Sequence, residues 1–374
     1  MTTSRTYLDW NASAPLRPEA RDAVVSALDV VGNASSVHAE GRHARLIVEA
    51  AREKIAVLVM CKPSEVVFTS GATEANNWAL SGEWDTIVRA GIEHDSVLGP
   101  AHVSGARNVG LQVNADGEAQ ITIDAQPDAG RTLFALQLAN NETGVVQPVT
   151  EAAAHARARG LAVHTDAAQA PGRLPINFHA LGCDTLSLSA HKMGGPKGIG
   201  ALIIRDGYEL PNFVHGGGQE RRRRAGTENV AAIAGFGAAA AAAHRDLTVV
   251  GRVKALRDQL EAVVLDLTPE ARIIGAGARA RLPNTSSIAL PGALAETLVI
   301  KLDLAGVAVS AGSACSSGKV GPSRILAAMG LAPELAKSVI RVSIGTTTTE
   351  QDIAAFLAAW RDIAARRPEQ RRVA

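Results

Sequence analysis

Thr185-Leu186-Ser187-Leu188-Ser189-Ala190-His191-Lys192-Met193-Gly194-Gly195-Pro196-Lys197-Gly198 runs from an apolar, strand-like segment into a glycine-rich turn, with a lysine at the junction. A lysine in that position is not an ordinary solvated cation. Desolvation and nearby cations favour its neutral amine, which can form a Schiff base with an aldehyde cofactor. Such a cofactor requires a carboxylate, a phosphate cradle and a ring-stacking partner. The flanking sequence offers a candidate for each.

Outward from this stretch, helical and strand patterns alternate from about residue 17 to 245. Apolar runs at 65–69, 85–88, 132–137 and 162–165 predict strands upstream, and 200–204 predicts one downstream. Ala39–Val59 has helical periodicity, 70–74 opens a further helix, and a long helix is predicted from 228 to about 245. Helix between strands is the signature of a mostly parallel α/β sheet. Beyond about 250 the order becomes helix, strand, helix, strand, helix, which predicts a smaller α+β domain. Pro291-Gly292 and 310–321 read as loops by composition. Residues 322–329 read as a short helix with proline in its first turn and Gly330 after its end.

Several segments carry polar groups suited to such a cofactor. Thr69-Ser70-Gly71-Ala72-Thr73-Glu74 lies between a predicted strand and helix. Its free helix-start N–H groups and the Thr73 hydroxyl can bind a phosphate, or its Ser and Thr can simply cap the helix. It lacks a Walker lysine and the GxGxxG spacing, which disfavours a nucleoside triphosphate or a dinucleotide. In His164-Thr165-Asp166-Ala167-Ala168-Gln169 the carboxylate stands at a strand's carboxyl end, where open α/β sheets build their sites. It can pair with a pyridinium nitrogen or cap the next helix, and Gln169 can donate to a ring oxygen. His94 can stack on a ring and move protons, or be structural. Asn140-Asn141-Glu142-Thr143-Gly144 is either a cofactor contact or a plain turn. Arg341, in the β-like run 340–345, is either a bidentate carboxylate grip or an edge-strand surface arginine.

Cys315 lies among small residues in Ser310-Ala311-Gly312-Ser313-Ala314-Cys315-Ser316-Ser317-Gly318, a setting that favours an accessible, reactive thiol. Cys61 and Cys183 read as structural. Three widely spaced cysteines suggest neither a disulfide framework nor a CxxC metal site, so no metal is expected and the compartment expected is reducing cytoplasm. The chain of 374 residues has a net charge of +1, which argues against a nucleic-acid or membrane-surface protein. No apolar run approaches the roughly 20 residues of a membrane span. Arg221-Arg222-Arg223-Arg224 reads as a solvated loop or a weak anion patch, and Thr227 after it as a second phosphate donor.

Taken together, SGATEANN (70–77), NNETG (140–144), HTDAAQ (164–169), SAHKMGGPKGIGAL (189–202), GGGQERRRRAGTENV (216–230), SAGSACSS (310–317) and IRVSIG (340–345) resemble the cysteine desulfurases of aminotransferase class V, in the NifS/IscS-like branch. The resemblance runs over nearly the whole chain. It implies the fold type I architecture of pyridoxal phosphate (PLP) enzymes: a large PLP-binding domain at 16–250, and a small domain from 1–15 and 251–374 that carries the cysteine loop at about 310–322. It implies that Lys192 is the Schiff-base lysine and that Ala72, Thr73, Ser189 and His191 form the phosphate cradle. Asp166 becomes the pyridinium partner, Gln169 the ring-oxygen donor, His94 the stacking and acid–base histidine, and Asn141 a contact to cofactor and substrate. Thr227 becomes a phosphate ligand given to the other subunit of a homodimer with shared sites. Arg341, helped by Asn33, becomes the clamp on the substrate carboxylate, and Cys315 the sulfur-accepting nucleophile.

The activity so implied is removal of sulfur from L-cysteine, giving alanine and a Cys315 persulfide. That sulfur passes to an Fe–S scaffold or other acceptor protein, with transient contact between Cys315 and an Fe–S cluster. A selenocysteine lyase or another class V enzyme is the alternative. A non-enzymatic sulfur-relay scaffold has no use for Lys192, Asp166, His94 and Cys315 together. Two departures, the opening 9–15 and Ala190 in place of a frequent glycine, remove no group that this chemistry needs.

Overall fold

The computed structural model describes residues 5–121, 130–312 and 323–365. In chain order the strands are β1 (Thr6–Tyr7), β2 (Val66–Thr69), β3 (Thr86–Ala90), β4 (Arg107–Leu111), β5 (Thr132–Ala135), β6 (Ala162–Asp166), β7 (Thr185–Ser189), β8 (Gly200–Ile204), β9 (Arg272–Ile273), β10 (Thr285–Ala289), β11 (Val307–Ala308), β12 (Ser310–Ala311) and β13 (Val339–Ser343). The helices are α1 (Pro18–Leu28), α2 (Ala39–Val59), α3 (Ala72–Leu80), α4 (Asp95–Val103), α5 (Val149–Arg157), α6 (Phe178–Leu181), α7 (Val230–Asp246), α8 (Val250–Leu267), α9 (Ala295–Leu304), α10 (Arg324–Ala328), α11 (Pro333–Ala336) and α12 (Glu350–Ala365).

Seven strands form one sheet in the order β2-β8-β7-β6-β5-β3-β4. The run from β7 through β6, β5 and β3 to β4 is parallel, while β8 is antiparallel to both β7 and β2. Successive side chains of a strand point to opposite faces, so an unbroken apolar run means that both faces are covered. In β2, Val66 and Phe68 join the core beneath α2, α5 and α7, whereas Val67 joins the core beneath α3 and α4. Phe134 and Leu133 of β5 divide between the two cores in the same way. The edge strand β4 had no apolar signature because most of its residues stay in water.

A second sheet, β12-β13-β10-β9, is antiparallel. It packs with β1, β11, α8, α9 and α12 around a separate core that includes Leu8, Leu260, Ile288, Ile340, Phe356 and Trp360. Residues 8–17 tie this part to the large sheet. Trp10 N–H donates to the Ser343 carbonyl at 3.1 Å, and Ala14 N–H donates to the His191 carbonyl at 2.9 Å. The helix expected at 322–329 is the shorter α10: it starts at Arg324 with no proline in its first turn, and the Ser323 hydroxyl caps it by accepting from Leu326 N–H at 3.2 Å.

The basic run at 221–224 is not a freely solvated loop. Glu220, Arg221 and Arg222 have φ of 46°, 56° and 67°. This is one turn in the left-handed region, which costs on the order of 1 kcal/mol per non-glycine residue. Buried Arg52 holds the turn by gripping Glu220 with two hydrogen bonds of 2.8 and 2.7 Å, and Glu220 also accepts from Phe68 N–H at 2.9 Å. Arg224 reaches Glu74 in the first turn of α3 at 3.0 Å. Burial works to raise the Glu74 carboxyl, but the bonds from Arg224 and Ser70 outweigh it and hold the group below its ordinary range.

Candidate active site

Parallel strands that end on one edge bring their carboxyl termini together. Asp166 ends β6, Ser189 ends β7, His94 follows β3 and Asn141 follows β5. These four residues, with Ala72, Thr73, Gln169, His191 and Lys192, line one cavity of about 570 Å³. Ala12, Ser13, Ser96, Gln137 and Lys197 complete much of its wall.

Lys192 closes a short 3₁₀ turn after β7. Its amine donates to the carbonyls of Asn11 at 2.6 Å and Ala12 at 3.0 Å, so the N-terminal segment holds it over the cavity. Next to it, burial and the charges of Lys192 and Lys197 push His191 down to about 4, which keeps that ring neutral near pH 7.

At one end of the cavity stands the N-terminus of α3. Gly71 occupies the cap position and supplies no side-chain hydrogen bond, so the simple capping role is not taken up by a Ser or Thr. An uncapped helix start leaves N–H donors and the positive end of the helix dipole turned to the cavity. Gly200 permits the close approach of β8 beneath it. A Cβ there would lie 2.4 Å from the Leu188 carbonyl oxygen and 2.7 Å from the Gly71 Cα. Ser189, His191 and Thr73 surround this end, and the donor set fits a phosphate.

At the other end Asp166 accepts from Ala168 N–H at 2.9 Å and from the Asn76 amide at 2.7 Å. Asn76 also donates to the Ser96 hydroxyl at 2.8 Å, and its own oxygen lies 3.0 Å from His164 Nε2. Burial pushes His164 down to about 4, partly offset by Asp166 and the Thr185 backbone, so the ring is neutral. Gln169 donates to the Asn11 carbonyl at 3.1 Å and accepts from buried Arg173. A carboxylate at this end, an amine at 192 and a phosphate cradle opposite match the chemistry of PLP.

Three of the described candidate residues do not line this cavity. Asn33 is exposed, and its side chain accepts from Ser35 N–H at 2.8 Å. Thr227 is exposed, outside its own chain's cavity. Arg341 is no surface arginine: β13 lies inside its sheet, and the side chain is 1% exposed. It pairs with Asp9 at 2.7 Å and donates to the Asn141 carbonyl at 3.2 Å, one residue behind the cavity wall. Cys315 lies outside the described residues. Burial is the main cause that pushes both Cys61 and Cys183 up to about 12, which suits inert structural thiols.

Sequence reasoning passed over Asn76, Ser96, His164, Glu93 and Glu142. The signal for Asn76 was an amide on the face of α3 that also buries Ala75, Trp78 and Ala79. Glu93 is fully buried, and desolvation raises it to about 8; one oxygen accepts from Gln137 N–H at 2.9 Å. Glu142 is raised to about 7, mainly by burial, and accepts from the Ser323 hydroxyl at 2.6 Å. Among the described residues no cluster of His, Cys, Asp and Glu could hold a metal ion.

The family model for aminotransferase class V matches residues 6–356. The cysteine desulfurase IscS of Dictyoglomus turgidum is 39% identical over 93% of this chain and 91% of its own length. A cysteine desulfurase of Cereibacter sphaeroides is 40% identical over 93% of each. Among solved structures, a NifS-like protein from Rickettsia africae superposes with a TM-score of 0.89 at 34% identity, covering 96% of this chain and 99% of that one.

Proposed function

The chain belongs to the aminotransferase class V family, and from that premise we propose that it is a PLP-dependent cysteine desulfurase of fold type I. The observation that carries the reading is the convergence of the Lys192 amine, the Asp166 carboxylate, His94 and the uncapped α3 start on one cavity.

In this reading, the α3 start with Thr73, Ser189 and His191 holds the cofactor phosphate. Thr227 of a second copy joins them, which makes the working unit a homodimer with shared sites. Asp166 pairs with the pyridine nitrogen, Gln169 with the ring oxygen, and His94 covers the ring face. PLP, when bound, supplies an electron sink for the bond broken at the substrate's α-carbon. The Lys192 amine, released from the Asn11 and Ala12 carbonyls, takes the α-proton. Arg341, with Asn33, clamps the substrate carboxylate and must turn from Asp9 to do so. The Cys315 thiolate attacks the sulfur of L-cysteine. The C–S bond breaks with its electron pair left on carbon, the carbon skeleton takes one proton at Cβ and regains one at the α-carbon and leaves as alanine, and the sulfur stays on Cys315 as a persulfide.

An Fe–S scaffold or another sulfur-acceptor protein takes that sulfur, and a cytoplasmic setting suits the free thiols. Among the described residues no helix is long and apolar enough to cross a membrane. The working division is a large domain at 16–250 and a small domain from 1–15 and 251–374.

The test is direct. Purified protein with PLP and a thiol reductant should convert L-cysteine to equal amounts of alanine and sulfide. Cys315→Ala should retain the bound cofactor's colour and lose sulfide release. Full sulfide release by Cys315→Ala would overturn the persulfide step.

A further inference from the structure

Counting donors in the network behind the cavity fixes where the protons lie. Asn76 Nδ2 stands 2.7 Å from Asp166 Oδ2 and 2.8 Å from Ser96 Oγ. A carboxylate oxygen can only accept, so the amide nitrogen faces it. The flipped amide would set two acceptors against each other at that distance. Both amide hydrogens are then used, and Asn76 Oδ1 must accept. The group 3.0 Å from it is His164 Nε2, which therefore carries the single proton of that neutral ring. His164 Nδ1 accepts in turn from the Thr185 hydroxyl at 2.9 Å.

The other branch leads to the cavity. Ser96 Oγ accepts from Asn76, so its own hydrogen is available for His94 Nδ1, 2.8 Å away. The backbone N–H of Ser96 also donates to that nitrogen, at 3.1 Å. Two donors converge on one ring nitrogen, and a nitrogen that receives them cannot carry a proton itself.

We propose that Asn76 is a positioning residue that, through Ser96, holds neutral His94 in the tautomer with its proton on Nε2. His94 lines the cavity with Nδ1 committed to Ser96, so Nε2 is the nitrogen left for the cavity. Neutral His94 therefore offers a bound molecule an N–H donor rather than a lone pair. It suits an acceptor atom, such as a carboxylate or phenolic oxygen or a sulfur. The same amide also orients Asp166. One buried side chain therefore sets both the carboxylate and the ring between which a cofactor would lie. The chemical meaning of this rests on the proposed PLP site, but the tautomer itself does not.

Full-length protein labelled with ¹⁵N-histidine, both PLP-loaded and stripped, can be read by two-bond ¹H–¹⁵N correlation, with His94→Gln assigning the signal. The wild type should show the Nε2–H form of neutral His94 favoured by about tenfold or more, as two hydrogen bonds into Nδ1 require. Ser96→Ala should reduce that preference several-fold, and Asn76→Ala should reduce it as well by freeing the Ser96 hydroxyl. A wild-type ring with its proton on Nδ1, or an even mixture, would overturn the proposal. So would a folded Asn76→Ala protein with an unaltered ratio. If Asn76→Ala does not fold, the wild-type and Ser96→Ala spectra decide the matter. No turnover of cysteine enters the readout, so a chain without desulfurase activity still gives an answer.

Discussion

The two walls of the cavity are backed by buried polar clusters that are satisfied in different ways. On the large-sheet side Asp166, Asn76, His164, Thr185 and Ser96 satisfy one another, with donors and acceptors matched through the chain. On the small-sheet side Arg341 is locked to Asp9 and its Nε has no hydrogen-bond partner among the described residues; buried orphans occur in both sheets, Ser286 and Ser287 in the small one and Thr132 and Ser187 in the large one, so the contrast is between these two clusters and not between whole sheets. A saturated network does not have to reorganise when charge moves nearby. A buried ion pair must exchange partners before it can grip anything else, and breaking it leaves a charge stranded. In the proposed function the first cluster lies beside a resident cofactor and the second beside a substrate that comes and goes.

The largest effect separates the chemistry from both walls. Lys192→Ala should lower sulfide release by at least about a thousandfold, the scale of removing an essential base or nucleophile, while leaving the melting temperature close to wild type. Steady-state rates and a thermal melt check this together. A variant that kept its rate would remove Lys192 from the centre of the comparison.

Next, Asp9→Ala leaves Arg341 buried without its carboxylate. Urea unfolding should show a loss of about 3–5 kcal/mol, the usual result of removing one partner of a buried pair. Against this, Asp9→Asn should preserve more stability and, with Arg341 in its proposed role, lower KM for cysteine, because the guanidinium starts free. A KM that stays the same or rises would mean that Arg341 never leaves Asp9.

Glu142 stands between the walls, and its behaviour is set by pH. Its carboxyl is raised from 4.5 to about 7, with burial the leading cause. The folded chain thus keeps this proton to higher pH than the unfolded chain does. Its contribution to stability is full below 4.5, declines as pH rises, and is lost above about 7. Glu142→Gln should therefore gain about 2 kcal/mol relative to wild type between pH 5.5 and pH 8.5. Urea midpoints at the two pH values measure this, and an equal difference at both would place the carboxyl in water.

The smallest effect belongs to the saturated wall. Thr185→Val removes the donor to His164 Nδ1 and should cost about 1 kcal/mol, one hydrogen bond's worth. A loss as large as that of Asp9→Ala would show that the two walls are equally brittle.

The large sheet was legible because β2, β5 and β8 are largely apolar runs, which two-sided burial explains, and because they alternate with helical segments. The edge strand Arg107–Leu111 was not, because exposure erases the pattern. Lys192, Asp166, Gln169 and Ser189 could be picked out because each stands where a strand gives way to a turn. Arg341 was half legible: its type suggested a grip, but its partner Asp9 lies at the far end of the chain, and no local spacing links them. His164 and Asn76 were hidden because each is a single polar residue in an otherwise apolar setting, and only the fold brings the two together. Thr227 and Asn33 carry meaning only in relation to a second copy or a bound substrate.

The left-handed turn at Glu220–Arg222 has a consequence for how this sequence can drift. Its strain is held by Arg52 from α2, whose guanidinium also donates to the Val66 carbonyl at 2.7 Å and lies 4.8 Å from the centre of the Phe68 ring. A change at 220 leaves buried Arg52 with Glu49, 3.1 Å away and half exposed, as its remaining carboxylate, and a change at 52 leaves Glu220 buried without a cation and lets the turn relax. Positions 52 and 220 therefore behave as a single inherited character. In a saturation library, survivors altered at one of them should carry a matching change at the other, while Arg221 and Arg222, exposed at the tip of the same turn, vary freely among residues that tolerate positive φ.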